Sequence, residues 1–302
     1  MANDRLTVAV LGPGGVGGLL AALLSRTGHR VICLAGEETA RVLGTDGIEV
    51  RSGHFGDFTA RVEADTVLRE PVDACFVAVK ATALDAALER VPAKALGDAG
   101  LVVPFLNGVE HPAALRKLYR SEQVAPAVIR VESTRVSPGV IEHGSPFAEV
   151  DLTGDTAPRE RVDALAGALE RAGVRVRVQE DEAAVLWAKM SFLAPFALLT
   201  TRYGVPLGDV RTRHRAELVA LTEEVAAVSR ASGAPVDAAA ALARYDAFPP
   251  GTKSSMQRDA EAGRTLELDA IGGALLRAAE RFGVPVPVAS GLVRELAGPD
   301  GS

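Results

Sequence analysis

Cysteine, methionine and tryptophan are scarce in this chain of 302 residues, at two, three and one, and aromatic residues make up only 4%. The two cysteines, Cys33 and Cys75, each fall inside a run that reads as a strand. Buried, reduced thiols are therefore expected, which suits a cytoplasmic protein. No set of residues has metal-ligand spacing, so no metal site is expected. Runs of lysine and arginine are also absent, and 33 basic residues against 39 acidic ones leave a net charge of −6. That balance argues against nucleic acid and anionic membranes as partners. No uninterrupted apolar run reaches about 18 residues, so no transmembrane helix is expected. The opening MANDRLTVAV leads straight into a first strand, and its apolar run is too short for a signal peptide. Repeats and low-complexity segments are missing too. What remains is a globular balance, 48% hydrophobic and 24% charged, in a length that fits one large domain or two ordinary ones.

Glycine, by contrast, is plentiful, and one stretch of it organises the rest. Thr7–Gly28 reads TVAVLGPGGVGGLLAALLSRTG. Val8, Val10 and Leu11 end a short apolar strand, and Gly12, Gly14 and Gly17 follow in the spacing G-x-G-x-x-G. A helix comes next, with Leu19, Leu20, Leu23 and Leu24 as its apolar face and Gly28 at the expected C-cap. Strand, glycine turn and helix N-terminus together form a pyrophosphate cradle. Gly12 permits the tight turn, Gly14 lets backbone approach phosphate, and Gly17 lets the helix pack on the strand. The unpaired N–H groups of the first helical turn face the anion.

The chain continues as a βαβ alternation. His29–Ala35 (HRVICLA) is the second strand, and its end normally meets the adenosine ribose. Gly36, Glu37 and Glu38 stand there, with Arg41 one turn later. An acidic residue at this place favours a free 2′-hydroxyl, an arginine favours a 2′-phosphate, and the two glutamates equally suit solvated first-turn positions of the next helix. Residues 44–70 read as turns and edge strands without chemistry, and His54 among them as a surface histidine. The apolar run Val72–Val79 is a parallel strand covered on both faces. It ends at Lys80, placed either to meet a phosphate or substrate anion or simply to start the next helix. Leu101–Leu106 is another buried strand, ending in Asn107-Gly108, which is a turn and also a position from which an amide can bind a ligand.

From Asp181 onward strand-like runs vanish and a 3.6-residue period takes over, for instance at Leu218, Leu221, Val225 and Val228. The fold expected is α/β, with a doubly wound parallel sheet of the Rossmann type over residues 1–180 and an all-helical domain over 181–302. Within Glu182–Tyr203 a single lysine, Lys189, sits in an apolar helix that Pro195 should kink or interrupt. Lys189 either snorkels past Trp187 to the surface or, desolvated, serves as a general acid.

Seven ordered segments carry a family resemblance. They are GPGGVG at Gly12–Gly17, VAVKA at Val77–Ala81, FLNGVE at Phe105–Glu110, SPGVIEH at Ser137–His143, LWAKM at Leu186–Met190, SSMQRD at Ser254–Asp259 and LELDAIGG at Leu266–Gly273. Over nearly its whole length the chain resembles the ketopantoate reductase (2-dehydropantoate 2-reductase) family. The resemblance implies a Rossmann domain, an all-helical domain, and a nicotinamide cofactor, NADP with NAD as the alternative, in the cleft between them. It further implies reduction of a 2-oxo acid, ketopantoate to pantoate being the leading case, as in pantothenate and coenzyme A synthesis. Gly12, Pro13, Gly14, Gly15, Val16 and Gly17 would hold the pyrophosphate. Lys80 and Asn107 would line the cofactor and substrate side, Lys189 would be the general acid, Ser255 would bind the substrate carboxylate, and Glu267 would order the site near Lys189 and the nicotinamide ribose.

Two departures from the family pattern stand out. Asparagines expected one and two helical turns after the lysine, and one beyond the following proline, are replaced by Leu193, Ala197 and Leu207. A pocket without those amides discriminates poorly in favour of a substrate hydroxyl. The arginine expected after the second strand is Gly36, followed by Glu37, which weakens the preference for NADP. Two other readings follow: a related dehydrogenase of a less polar carbonyl compound, or a catalytically silent NAD(P)-binding sensor. A small-molecule 2-oxo acid is the expected partner, with a homodimer left open.

Overall fold

The structure is a computed structural model that describes residues 5–298. Met1–Asp4, read above as part of the run-in to the first strand, and the last four residues lie outside them. The chain forms two compact units. The first takes the chain up to Leu106 together with His111–Glu182, and the second takes Asn107–Glu110 together with the chain from Ala183 onward.

The first unit contains all the strands found among the described residues. In chain order they are β1 Thr7–Leu11, β2 Arg30–Leu34, β3 Ile48–Ser52, β4 Phe58–Ala60, β5 Glu63–Asp65, β6 Ala74–Val77, β7 Leu101–Pro104, β8 Ala127–Arg130, β9 Ser133–Ser137, β10 Val140–His143, β11 Glu149–Thr153 and β12 Arg175–Gln179. The five-stranded sheet has the order β5-β2-β1-β6-β7, every pairing parallel. Strand β1 shows why its sequence is apolar without alternation. Val8 and Val10 join Leu19, Leu20 and Leu23 in one core, while Ala9 and Leu11 join Leu88, Val91 and Leu96 in another. Both faces of the sheet are covered, as in a doubly wound fold. Strand order reverses between β1 and β6, and the carboxyl ends at such a switch point are where ligands bind in open α/β sheets.

The other strands do not extend this sheet. Strands β4-β3-β10-β9 form a mixed four-stranded sheet, and β12-β11-β8 a three-stranded one. The sequence reading expected one parallel sheet up to residue 180, with edge strands and turns over residues 44–70. Instead β3 from that region pairs parallel with β10, some 90 residues later, and antiparallel with β4. Its buried–intermediate–buried–exposed–buried pattern marks a strand covered on one face only. Which distant strand it pairs with is decided by packing rather than by local pattern.

The second unit is helical. Leu218, Leu221, Val225 and Val228 all face inward from the helix Arg215–Ala231, each 0% exposed. The helix Glu182–Tyr203 is long and apolar enough to cross a membrane, with a mean hydropathy of 1.6 over its most apolar window. Yet 67% of that window is buried in the fold, as in a core helix. Of the kink or interruption expected at Pro195, the interruption does not occur: the helix runs unbroken through it. Proline removes the N–H that would have bonded the carbonyl four residues back, at Ser191. Tyr245, 0% exposed, places its hydroxyl at the gap. Its Oη donates to Phe192 O at 2.5 Å and lies 3.2 Å from Ser191 O. Its ring stacks on Phe192 with centroids 4.6 Å apart. Burial pushes the phenol pKa well above 10, so the hydroxyl keeps its proton and remains a donor.

Removing that hydroxyl leaves buried carbonyls without their donor. Tyr245→Phe is expected to lower the unfolding free energy by about 1–3 kcal/mol, as read by urea denaturation. In a Pro195→Ala background, where a backbone N–H returns, the same change should cost less. Equal costs in the two backgrounds would show that the hydroxyl does not compensate for Pro195.

Candidate active site

Within the first unit the glycine loop follows β1. Gly12 has φ +84°, and a Cβ there would lie 2.5 Å from Val79 Cγ1, so the position admits only glycine on two counts. A Cβ on Gly17 would lie 2.3 Å from Gly12 O and 3.1 Å from Val10 Cγ1, which is the helix-on-strand packing expected of the third glycine. Gly14 is different, because the nearest atom to its Cβ position is 4.0 Å away. Its open side leaves room for a ligand. The helix Gly15–Arg26 has Gly14 as N-cap, no side-chain cap and no acid in its first turn. Its N-terminal N–H groups and partial positive charge thus meet no side-chain acceptor of their own, and the residues fit a pyrophosphate.

The sequence pattern puts Gly15 in the cradle and gives Gly18 no role there. Gly15 is also a steric necessity against backbone, and Gly18 packs on the end of a side chain. A Cβ on Gly15 would meet Ser133 O at 2.2 Å, and one on Gly18 would meet Ile141 Cδ1 at 2.7 Å. The four consecutive and near-consecutive glycines of GGVGG therefore serve two neighbours: the cradle, and the sheet containing β9 and β10. Lys80 is exposed just beyond β6, ahead of the short turn Ala81–Ala83. Glu37 and Glu38 are exposed in the first turn of the helix Glu37–Asp46, with Gly36 as N-cap and Arg41 exposed one turn on.

In the second unit, Asn107 and Glu267 are brought together. Asn107 Nδ2 donates to Glu267 Oε2 at 3.0 Å, across 160 residues of sequence, and Glu267 is only 7% exposed. The next residues add two more ties. Gly108 has φ +92°, and a Cβ there would lie 2.3 Å from Ala270 O. Arg277 donates to Glu110 Oε1 at 3.0 Å and to Asp269 Oδ1 at 2.6 Å. Asp269–Gly273 is a π-helical turn leading into the helix Ala274–Phe282. Such turns are uncommon and recur at functional sites. Asn107–Glu110 thus belongs to the second unit although its chain neighbours belong to the first. A four-residue excursion of this kind has no local sequence signal beyond Asn-Gly.

The serine pair divides its labour. Ser254 is 1% exposed, accepts from Gln257 N–H at 3.0 Å as the N-cap, and meets Thr200 Oγ1 at 2.8 Å. Thr200 donates to Phe196 O at 2.7 Å, so Ser254 is the donor in their shared bond. Ser255, next to it, is exposed at the first helical position. The helix Glu182–Tyr203 carries Lys189 half-buried, less enclosed than a fully desolvated lysine. Leu193, one turn on, is half-buried like Phe192 beside it, whereas Ala197 and Leu207 are 0% exposed. An ammonium, a buried carboxylate tied to an amide, and an exposed hydroxyl are groups able to protonate, orient and bind an oxygen-rich substrate.

Comparison with known proteins gives a consistent result. The family described as "Ketopantoate reductase PanE/ApbA" matches residues 8–152, and its C-terminal counterpart matches residues 182–299. A 2-dehydropantoate 2-reductase from Mycobacterium tuberculosis is 32% identical, with 96% of each chain covered. An uncharacterized oxidoreductase, YkpB, from Bacillus subtilis is 30% identical over 92% of this chain and 94% of its own. The crystal structure of 2-dehydropantoate 2-reductase from Geobacter metallireducens superposes with a TM-score of 0.87 at 28% identity, covering 95% of this chain and 98% of that one.

Gly108 makes the close backbone approach in the Asn107–Glu110 attachment. Gly108→Ala forces a side chain into left-handed backbone, at about 1–2 kcal/mol, and onto a carbonyl as well. A loss of more than about 2 kcal/mol in unfolding free energy is expected by denaturant titration. Unchanged stability would show that the close approach to Ala270 does not persist in solution.

Proposed function

Because the chain belongs to the ketopantoate reductase family, and is on that ground an oxidoreductase, we propose that it reduces a 2-oxo acid to the 2-hydroxy acid with NADPH, ketopantoate to pantoate being the leading pair. The observation that supports this reading most is the glycine cradle, uncapped and free of acids, at the switch point of a parallel sheet. Residues Gly12–Gly17, with Lys80, Asn107 and Glu267, would hold the dinucleotide. When bound, it supplies the hydride that reaches the carbonyl carbon. The carbonyl π electrons move onto oxygen, and the Lys189 ammonium stabilises that developing alkoxide and then donates its proton to it. Partial exposure lets Lys189 recover a proton from water. The Ser255 hydroxyl and the Asn107 amide bind the substrate's carboxylate and carbonyl end. Glu267, buried and fixed by Asn107, orders the polar groups around the reacting oxygen.

A second reading, a less polar carbonyl substrate, is favoured by Leu193. It stands one turn from Lys189, half-buried beside Phe192, where the family carries an amide. A leucine there cannot pay a substrate hydroxyl for its lost hydration.

Three measurements test these readings. Lys189→Ala should lower kcat by roughly 10²-fold or more while leaving cofactor affinity nearly intact, and near-normal turnover would remove Lys189 from the reaction. Ketopantoate should show a high KM relative to a 2-oxo acid lacking its hydroxyl, whereas selective, efficient turnover of ketopantoate would set the less polar reading aside. Exposed Glu37 and Glu38 face water, where like charges about 4 Å apart repel by only about 1 kcal/mol. NADPH and NADH should therefore differ by no more than about tenfold in kcat/KM, equivalent to about 1.4 kcal/mol. A ratio above about a thousand, equivalent to some 4 kcal/mol, would mean that a cation such as Arg41 completes a 2′-phosphate site.

A further inference from the structure

Strand β9 touches the glycine loop at its first residue. Ser133 Oγ donates to Gly15 O at 2.7 Å, and Ser133's own carbonyl lies close enough to exclude any Cβ from Gly15. The Gly15 carbonyl shares one rigid peptide plane with the Val16 N–H. That N–H belongs to the first helical turn, whose donors have no intrahelical acceptor. A hydrogen bond to the carbonyl fixes the rotation of the plane and, by polarising the amide, makes the N–H a stronger donor.

Ser133 is itself held by a buried polar chain. Across the β9–β10 pairing it stands opposite His143, which is 4% exposed. Ser52 Oγ accepts from the N–H groups of His54 at 3.1 Å and Phe55 at 2.9 Å, which occupies its lone pairs. Its proton is therefore donated to His143 Nδ1, 2.9 Å away. His143 is by this argument the neutral Nε2–H tautomer, facing Ser145 Oγ at 3.0 Å and Phe147 O at 3.2 Å. Ser145 Oγ accepts from Glu132 N–H at 3.0 Å and donates to Phe147 O at 2.6 Å. Glu132 immediately precedes Ser133, and its carbonyl accepts from Gly144 N–H at 2.9 Å.

A second proton on His143 would sit on Nδ1, pointing at a serine oxygen with no lone pair to offer. The bond to Ser52 would break, or Ser52 would release one of its two backbone partners. Around the ring, burial and the neighbouring His54 disfavour the charged form, while Glu132 and the Phe147 carbonyl favour it. Burial prevails and holds the histidine below its ordinary 6.5. Asp57, which accepts from Ser52 N–H at 2.9 Å, is the nearby acid on the β3 side. For a histidine so lowered, the neutral arrangement is intact above the ordinary value and is lost as pH falls through the lowered one.

We propose that Ser133 is a positioning residue for the dinucleotide loop and that neutral His143 holds it in place, so that dinucleotide affinity falls when His143 gains a second proton. This rests on the reading that the glycine loop holds a dinucleotide.

Binding of NADP⁺ and of NAD⁺, followed by calorimetry at about pH 7.5 and about pH 5, tests it, since a histidine lowered from its ordinary value gains its second proton toward the acid end of that interval. At the higher pH, Ser133→Ala weakens both ligands by up to about tenfold, the size of one net hydrogen bond, and Ser133→Thr, which keeps the hydroxyl, restores most of that loss. The wild-type chain loses affinity several-fold on acidification, and Ser133→Ala loses clearly less. Wild-type affinity in Ser133→Ala, or the same acid sensitivity in both chains, overturns the proposal. If the wild-type chain binds neither ligand at either pH, the dinucleotide reading itself fails, and the proposal fails with it.

Discussion

Close approach of one backbone to another, at positions where no Cβ can stand, is the constraint on which both units rest. In the first unit Gly17 lets the loop helix lie on Gly12 O and Val10, and Gly15 admits the carbonyl of Ser133. In the second, Gly108 admits the carbonyl of Ala270. Each contact sets one element against another with no side chain to adjust the gap. Interiors packed to crystal-like density do not absorb such an intrusion cheaply. The geometry of the glycine loop and the attachment of Asn107–Glu110 are therefore consequences of the same chemistry, the absence of a side chain.

Buried polar groups supply the direction that close packing alone lacks. Glu267 is held by Asn107, Ser254 by Thr200 and Gln257, and the helix around Pro195 by Tyr245. In each case a group that would be costly to bury alone has a partner from a distant part of the chain. Such bonds are short-ranged and angular, so they specify one arrangement where apolar contact would tolerate several. The hydrophobic clusters account for most of the burial, and these few bonds select where the polar side chains stand.

Much of the fold was legible because hydrophobic period reports local environment. A continuous apolar run in β1, β6 and β7 means a strand covered on both faces, and a 3.6-residue period after Glu182 means helices. The glycine spacing of Gly12, Gly14 and Gly17 was legible for a similar reason: Gly12 and Gly17 answer local steric demands of the strand–turn–helix unit, and Gly14 leaves one side of the turn open. The pairing of β3 with β10 was not legible, since register between strands 90 residues apart leaves no mark on either. Neither was the unbroken course of the helix through Pro195, because the compensating hydroxyl comes from Tyr245, which no local pattern links to it.

The sequence by itself determined the order of strands and helices, the change of architecture near residue 180, the cradle, and the isolation of Lys189 in an apolar helix. All of these are encoded in residues within a few turns of one another. Only the tertiary structure decided that Asn107 meets Glu267, that Ser254 is a buried cap while Ser255 faces outward, and that Gly15 and Gly18 answer to a second sheet. Those outcomes depend on which distant backbone comes to rest against which. That is settled by the packing of whole elements, where free energy is summed over many contacts and no single residue carries the instruction.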